Sequence, residues 1–233
     1  MRREPVVFAP LRGSSRMALD TKETRSLYRK RARRYDLSVQ IFRLFGFEMN
    51  RYRKETIASL GLRPGNVVVE LGCGTGLNFQ YVQRQIGPSG KLIGVDLTDS
   101  MLDVARLRVA RERWTNVELL QADIADWEMP RDVDGMYSTL ALTLVPEYDK
   151  VIEKASRSLR AGGRLAVFDM KVPETWPGWL VRLAAWMNKP FGVSLDLGDR
   201  HPWESIRQYL TELEFREYYF GALYFCVGEK PRA

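Results

Sequence analysis

The residues of this chain best suited to chemistry lie in one glycine-rich turn and the acids around it. In VVVELGCGTGLNF, Val67 to Phe79, an apolar run carries Glu70 and then breaks into Gly72-Cys73-Gly74-Thr75-Gly76. Three alternating glycines let a backbone turn sharply and let a ligand approach it with no Cβ in the way. The spacing is G-x-G-x-G, where a dinucleotide site would carry G-x-G-x-x-G. Asp96 closes the next apolar run, 20 residues after Gly76. An acid at that place in a doubly wound fold accepts hydrogen bonds from a ribose diol. A third acid, Asp123, follows in QADIADW. Asp96 could instead cap the helix that follows it, and Asp123 could be a plain loop residue.

Other chemistries have little to work with. His201, in RHPWES, is the single histidine, which excludes imidazole clusters and makes Ser-His-Asp catalysis a poor fit. The two cysteines, Cys73 and Cys226, show no zinc spacing and fit a reducing compartment. No metal site is expected. Cys73, between two glycines, reads as a small filler whose backbone matters, and Cys226 reads as core.

The elements that must position these residues follow a clear rhythm. Short β-rich runs at 66–71, 91–96, 117–121, 133–138 and 164–169 alternate with helical stretches near 77–86, 99–113 and 147–160. Thr98 or Asp99 is placed to cap the second helix, and Gly162-Gly163 to stop the third. Strands separated by such helices predict an α/β fold with a doubly wound, mostly parallel sheet. After Asp169 the rhythm breaks into an insert at 172–200, a helix near 203–213 and two close strands, 215–220 and 223–228. Only Gly221-Ala222 separates those two, which predicts an antiparallel hairpin at the sheet edge.

With this frame the constellation resembles the class I S-adenosylmethionine-dependent methyltransferases, closely over residues 55–170 and loosely elsewhere. The resemblance implies a seven-stranded Rossmann-like sheet with S-adenosylmethionine as cofactor. Gly72, Cys73, Gly74, Thr75 and Gly76 would line its methionine portion, with Glu70 supporting the loop. Asp96 would hold the ribose hydroxyls, with Leu97 and Met101 beside the adenine. Asp123 would face the adenine amino group, with Ile124 packed on the ring. Ser138 and Thr139 would lie beneath the sulfonium.

Length and charge set the wider bounds. The 233 residues suit one large domain or two very small ones, and 45% of them are apolar, enough for a buried core. No run approaches the roughly 18–20 apolar residues that span a bilayer. The N-terminus lacks the apolar run of a secretory signal, so a cytoplasmic location is expected, with the inner membrane face as a place of peripheral contact. Residues 1–20 read as an extension, with Met17 as an alternative start. The net charge of +7 is uneven: residues 1–60 hold 15 Lys/Arg against 6 Asp/Glu, and the remainder 21 against 23. Residues 21–60 read as a basic amphipathic helical cap, and 61–233 as the cofactor-binding domain. Through residues 22–54 the cap would meet an anionic membrane surface. No zinc finger or RNP-like motif supports nucleic acid as partner.

The acceptor is less legible. The block YRKRARRYD resembles the start of a subfamily containing phospholipid and betaine-lipid N-methyltransferases and quinone-ring C-methyltransferases. That analogy makes Tyr28 and Tyr35 acceptor-side candidates, and an aromatic face suits a cationic amine. His201 is a candidate base, with a helix-entry role as the alternative. The insert PETWPGWLVRLAAWMNKPFG carries Trp176, Trp179 and Trp186, which suits an apolar acceptor pocket or a lipid interface. The first expectation is methyl transfer to the headgroup amine of a phospholipid or betaine lipid. Ring C-methylation of a membrane quinone is the second, and a soluble small molecule the third.

Overall fold

The computed structural model describes residues 48–173, 176–188 and 195–232. Tyr28, Tyr35 and most of the basic cap lie outside the described residues. The chain runs through α1 (Met49–Ser59), β1 (Val67–Leu71), α2 (Phe79–Ile86), β2 (Lys91–Asp96), α3 (Asp99–Glu112), β3 (Val117–Gln121) and β4 (Val133–Thr139). A single 3-10 turn (Leu142–Leu144) leads to α4 (Tyr148–Ser158), β5 (Leu159–Met170) and α5 (Gly178–Asn188). A second 3-10 segment (Leu195–Asp199), α6 (Pro202–Tyr209), β6 (Thr211–Tyr218) and β7 (Leu223–Glu229) complete it.

The strands form one seven-stranded sheet in the order β3-β2-β1-β4-β5-β7-β6. The first five pair in parallel, and β7 lies antiparallel between β5 and β6. This is the expected doubly wound, Rossmann-like sheet. Alternation along each strand feeds two cores, as the two-residue period of strand side chains requires. Val68, Tyr137, Phe168 and Phe225 pack under α1, α2 and α3 with Ile57, Phe79 and Leu102. Val69, Met136, Val167 and Tyr224 pack on the opposite face under α4 and α6 with Ile152, Trp203 and Ile206.

Two boundaries differ from the sequence reading. Gly162-Gly163 does not stop α4, because Leu159 is already extended and pairs with Val133. Those glycines belong to β5, where a Cβ on Gly163 would sit 2.9 Å from Arg160 O and 3.0 Å from Val133 O. The last helix ends at Tyr209, not near 213, and Thr211–Glu214 begins β6. Helix-favouring Glu212 and Glu214 yield there to pairing with Gly228 and Val227 of β7. The hairpin then turns through Tyr219, Phe220 and Gly221, all with positive φ.

Gly228 shows how tightly α6 lies on β7: a Cβ there would stand 2.7 Å from Ile206 Cγ2 and 2.8 Å from Leu210 Cβ. Gly228→Val should therefore lower stability by about 1–3 kcal/mol through overpacking. The urea midpoint measures this, and an unchanged midpoint would refute the packing.

Candidate cofactor site

From β1 the sheet extends one way to β2 and β3 and the other way to β4 and β5. Beyond the carboxyl ends of β1 and β4 lies the crevice that such a reversal opens. The loops leaving these strands touch: Gly72 has φ +73, and a Cβ on it would collide with the Ala141 Cβ. Gly76 serves a different purpose, since its Cβ would meet the Phe79 ring at 2.5 Å. Gly74, at φ +52, has nothing within 4 Å of that position, so its backbone faces open space.

One cavity opens here. Gly72 through Thr75, Leu77 and Asn78 line it after β1, Asp96, Leu97, Thr98 and Met101 after β2, and Ala122, Asp123 and Ile124 after β3. Thr139, Leu140, Ala141, Leu144, Val145 and Pro146 form the wall after β4, and Arg53 reaches in from α1. The glycine turn is held by its own amides. Gly72 N and Cys73 N each donate to Val95 O at 2.9 Å, and Gly74 N donates to Asp96 Oδ2 at 2.8 Å. Asp96 Oδ1 accepts Thr98 N at 2.8 Å, so this acid straps the turn to the start of α3. Burial raises the Asp96 pKa, while the hydrogen bonds from Thr98 and Gly74 oppose that rise.

Beneath the turn lies a buried polar network. Glu70 is fully buried; its Oε1 accepts Asn78 Nδ2 at 2.5 Å, and its Oε2 accepts the Tyr137 hydroxyl at 2.6 Å. Asn78 Nδ2 also donates to Thr139 Oγ1 at 2.8 Å, and Asn78 Oδ1 accepts Arg53 Nη1 at 2.9 Å. Arg53 is 5% exposed, and its Nε has no hydrogen-bond partner. Burial pushes the Glu70 carboxyl from 4.5 up to about 7, against the opposing pull of Tyr137, Asn78 and the Arg53 charge.

The cavity wall after β4 has its own buttress. Leu140 adopts φ 56 and donates its N–H to Phe168 O at 2.8 Å. Behind it, buried Asp169 accepts Thr143 N at 2.9 Å, and Arg200 Nη1 donates to Thr143 O at 2.8 Å. Burial lifts the Asp169 carboxyl to about 6.

Of the sequence-predicted residues, the structure brings Gly72, Cys73, Gly74, Thr75, Asp96, Leu97, Met101, Asp123, Ile124 and Thr139 to one cavity. Glu70 and Gly76 sit just behind its wall. Ser138 is buried away from it, with its hydroxyl on Leu71 O at 2.9 Å. Cys73 presents its backbone, and burial raises its thiol pKa well above the ordinary value. Asp123 Oδ1 accepts Ala125 N at 3.0 Å, turning the chain after β3. His201 is not brought to this cavity. It lines a separate one with Lys171, Arg200 and Trp203, and its Nε2 lies 3.1 Å from Gly198 O. Sequence reasoning missed Arg53, Asn78, Tyr137 and the wall 140–146. Asn78, two residues after Gly76, had a positional signal, whereas Arg53 was hidden among many other arginines.

The residues fit S-adenosylmethionine: an open glycine backbone, two acids, an apolar slot between Leu97, Met101 and Ile124, and a buried guanidinium with an unpartnered Nε. Residues 68–163 match a family model described as a methyltransferase domain. A demethylmenaquinone methyltransferase of Listeria monocytogenes is 34% identical over 131 residues, covering 55% of this chain and 54% of the relative. An arsenite methyltransferase of Halobacterium salinarum is 33% identical over 121 residues, covering 52% and 31%. This chain thus spans about half the length of the demethylmenaquinone methyltransferase it matches. Among solved structures, an S-adenosylmethionine-dependent methyltransferase from Aquifex aeolicus aligns with TM-score 0.55 at 19% identity, over 76% of this chain and 89% of that one. A geranyl diphosphate C-methyltransferase from Streptomyces coelicolor aligns with TM-score 0.63 at 15% identity, over 78% and 77%. The resemblance to class I S-adenosylmethionine-dependent methyltransferases read from the sequence stands.

Because Glu70 binds its proton more tightly when folded, its contribution to stability is full below about pH 4.5 and is lost as pH rises to about 7. Asp169 adds a loss of the same sign up to about pH 6. Urea midpoints should fall from pH 5 to 7.5 by less in Glu70→Gln than in the unmodified chain. An equal fall in both would show that Glu70 carries no such proton.

Proposed function

We propose that this protein is an S-adenosylmethionine-dependent methyltransferase whose acceptor is apolar, a quinone-type ring ahead of a phospholipid headgroup amine. The observation that carries the reading is the convergence of the Gly72–Gly76 turn, Asp96 and Asp123 on one cavity at the sheet's switch point. When bound, the cofactor supplies an electrophilic methyl group on a sulfonium with a neutral thioether as leaving group. A quinol acceptor reacts as its quinolate, giving one hydroxyl proton to water; after the ring carbon takes the methyl group, its own proton leaves and the hydroxyl is restored, so the chain's part is to bind and align. Asp96 takes the ribose hydroxyls with the acceptor capacity left beyond Gly74 and Thr98. Leu97, Met101 and Ile124 enclose the adenine, with Asp123 at its amino edge. The turn's backbone receives the methionine portion, and Arg53 meets its carboxylate.

The acceptor reading has two supports. The wall of Leu140, Ala141, Leu144, Val145 and Pro146 is apolar, which suits a ring or acyl-bearing acceptor. Several relatives are named demethylmenaquinone methyltransferases, which favours a quinone-type ring. The phospholipid amine stays second, because its aromatic support rested on Tyr28 and Tyr35.

Asp96→Ala removes charge-assisted hydrogen bonds worth roughly 1.5–3 kcal/mol each, so cofactor affinity should fall at least about tenfold by calorimetry. Unchanged affinity would end the ribose assignment. Arg53→Met should weaken S-adenosylhomocysteine binding by a similar factor and leave methylthioadenosine, which lacks the carboxylate, nearly unaffected. Equal losses for both ligands would refute the carboxylate contact. For the acceptor, the protein is given methyl-labelled cofactor with a demethylated naphthoquinol or phosphatidylethanolamine vesicles. Label in the quinol product supports the first reading, label in the phospholipid supports the second, and neither removes both.

A further inference from the structure

The carboxyl edge of the sheet carries apolar surface that the cofactor cavity does not use. On α5, Trp179, Leu183 and Trp186 recur at i, i+4 and i+7, so they share one face. They are 61%, 44% and 73% exposed. Phe220, at the tip of the β6–β7 hairpin, is 88% exposed. The tip is tied to the segment that leads toward α5: Lys171 N donates to Ala222 O at 3.1 Å, and Pro173 borders Gly221. The hairpin tip therefore lies at the end of β5, the edge where the cavity opens, and the chain leaves that edge toward α5.

Charge enters at the same edge. α1 runs antiparallel to β5, since Tyr52 stacks on Phe168 near that strand's end while Ser59 O accepts Arg164 Nη1. Its first turn therefore sits at the carboxyl edge. The 47 residues that precede Glu48 hold 12 Lys/Arg against 4 Asp/Glu. Arg182 adds an exposed cation on α5 itself. Exposed tryptophan and phenylalanine on an edge where a basic stretch of sequence joins the described chain match the chemistry of an anionic bilayer surface, where aromatic rings sit at headgroup depth and each basic residue adds attraction.

We propose that this edge is a membrane-docking face: α5, through Trp179, Leu183 and Trp186, and the Phe220 tip insert into the interface of an anionic bilayer. The proposal rests on the reading of a lipid-like acceptor, because it brings the cavity mouth to the surface that would hold one. No helix of the described residues is long and apolar enough to cross a membrane, so contact would be from one side.

Flotation of the full chain tests it, using phosphatidylcholine vesicles with and without about 30% phosphatidylglycerol. Binding should be at least about tenfold tighter with the anionic lipid, and the Trp179→Ser/Trp186→Ser variant should lose at least about tenfold of it. At about 0.5 M salt, where charge attraction is screened, residual binding should vanish in the variant and persist in the unmodified chain. Brominated lipid should also quench part of the unmodified protein's tryptophan emission, a readout that needs no variant. Cofactor affinity is measured on the same samples without lipid and should be unchanged, so a failed cofactor site and a failed membrane face give different results. Undiminished binding by the variant, absent binding by the unmodified chain, or unquenched emission would each overturn the proposal. So would a dimer that the double substitution turns into a monomer, since a second copy would then own the face.

Discussion

The backbone leaving β1 and the backbone leaving β4 approach so closely that one added carbon on Gly72 would collide with Ala141. That approach depends on the buried polar seam directly below it. Glu70 on β1 is bonded to Tyr137 on β4, Asn78 ahead of α2 is bonded to Thr139 on β4, and Ser138 closes on Leu71 O. Each of these groups, left unpaired in the interior, would cost roughly 1–3 kcal/mol, more for a charge. The seam therefore admits one register between the two strands, and the cavity inherits its shape from that register. Arg53, through Asn78, extends the seam to α1, so the N-terminal helix is coupled to the glycine turn although 25 residues separate the two partners.

What was legible in the sequence divides along physical lines. The parallel strands were readable because strands buried on both faces are continuous apolar runs, as in Val67–Leu71 and Lys91–Asp96. The glycine turn after β1, Asp96 closing β2 and Asp123 beyond β3 were readable because each stands where an apolar run gives way to polar or glycine residues. Misread boundaries arose where tertiary pairing overrode local preference: Thr211–Glu214 joined a sheet despite helix-favouring residues, and Gly163 allowed a close backbone approach within β5 instead of ending α4. His201 takes the helix-entry place, the alternative to a base: it directly precedes α6, and its ring tilts against Trp203 with centroids 4.9 Å apart. Arg53 was invisible because nothing local distinguishes it from Arg51, exposed on the same helix two residues earlier.

The wall that faces the cofactor side of the cavity shows why the proposed chemistry asks for so few reactive groups. Methyl transfer from a sulfonium needs in-line alignment more than acid or base assistance, and alignment is only as good as the surfaces that enforce it. Leu140 stands in the left-handed region, a conformation that costs roughly 1–3 kcal/mol and persists only where its surroundings over-determine it. Those surroundings are visible: Phe168 O holds its amide, and Asp169 and Arg200 grip Thr143 from behind. A buried carboxylate, a buried guanidinium and a strained leucine are thus spent on keeping a short apolar wall from moving. An apolar surface offers an acceptor no hydrogen bond to orient it, so shape alone must do so, and shape discriminates only when it is rigid. The polar groups of this wall serve, on this reading, to hold that shape.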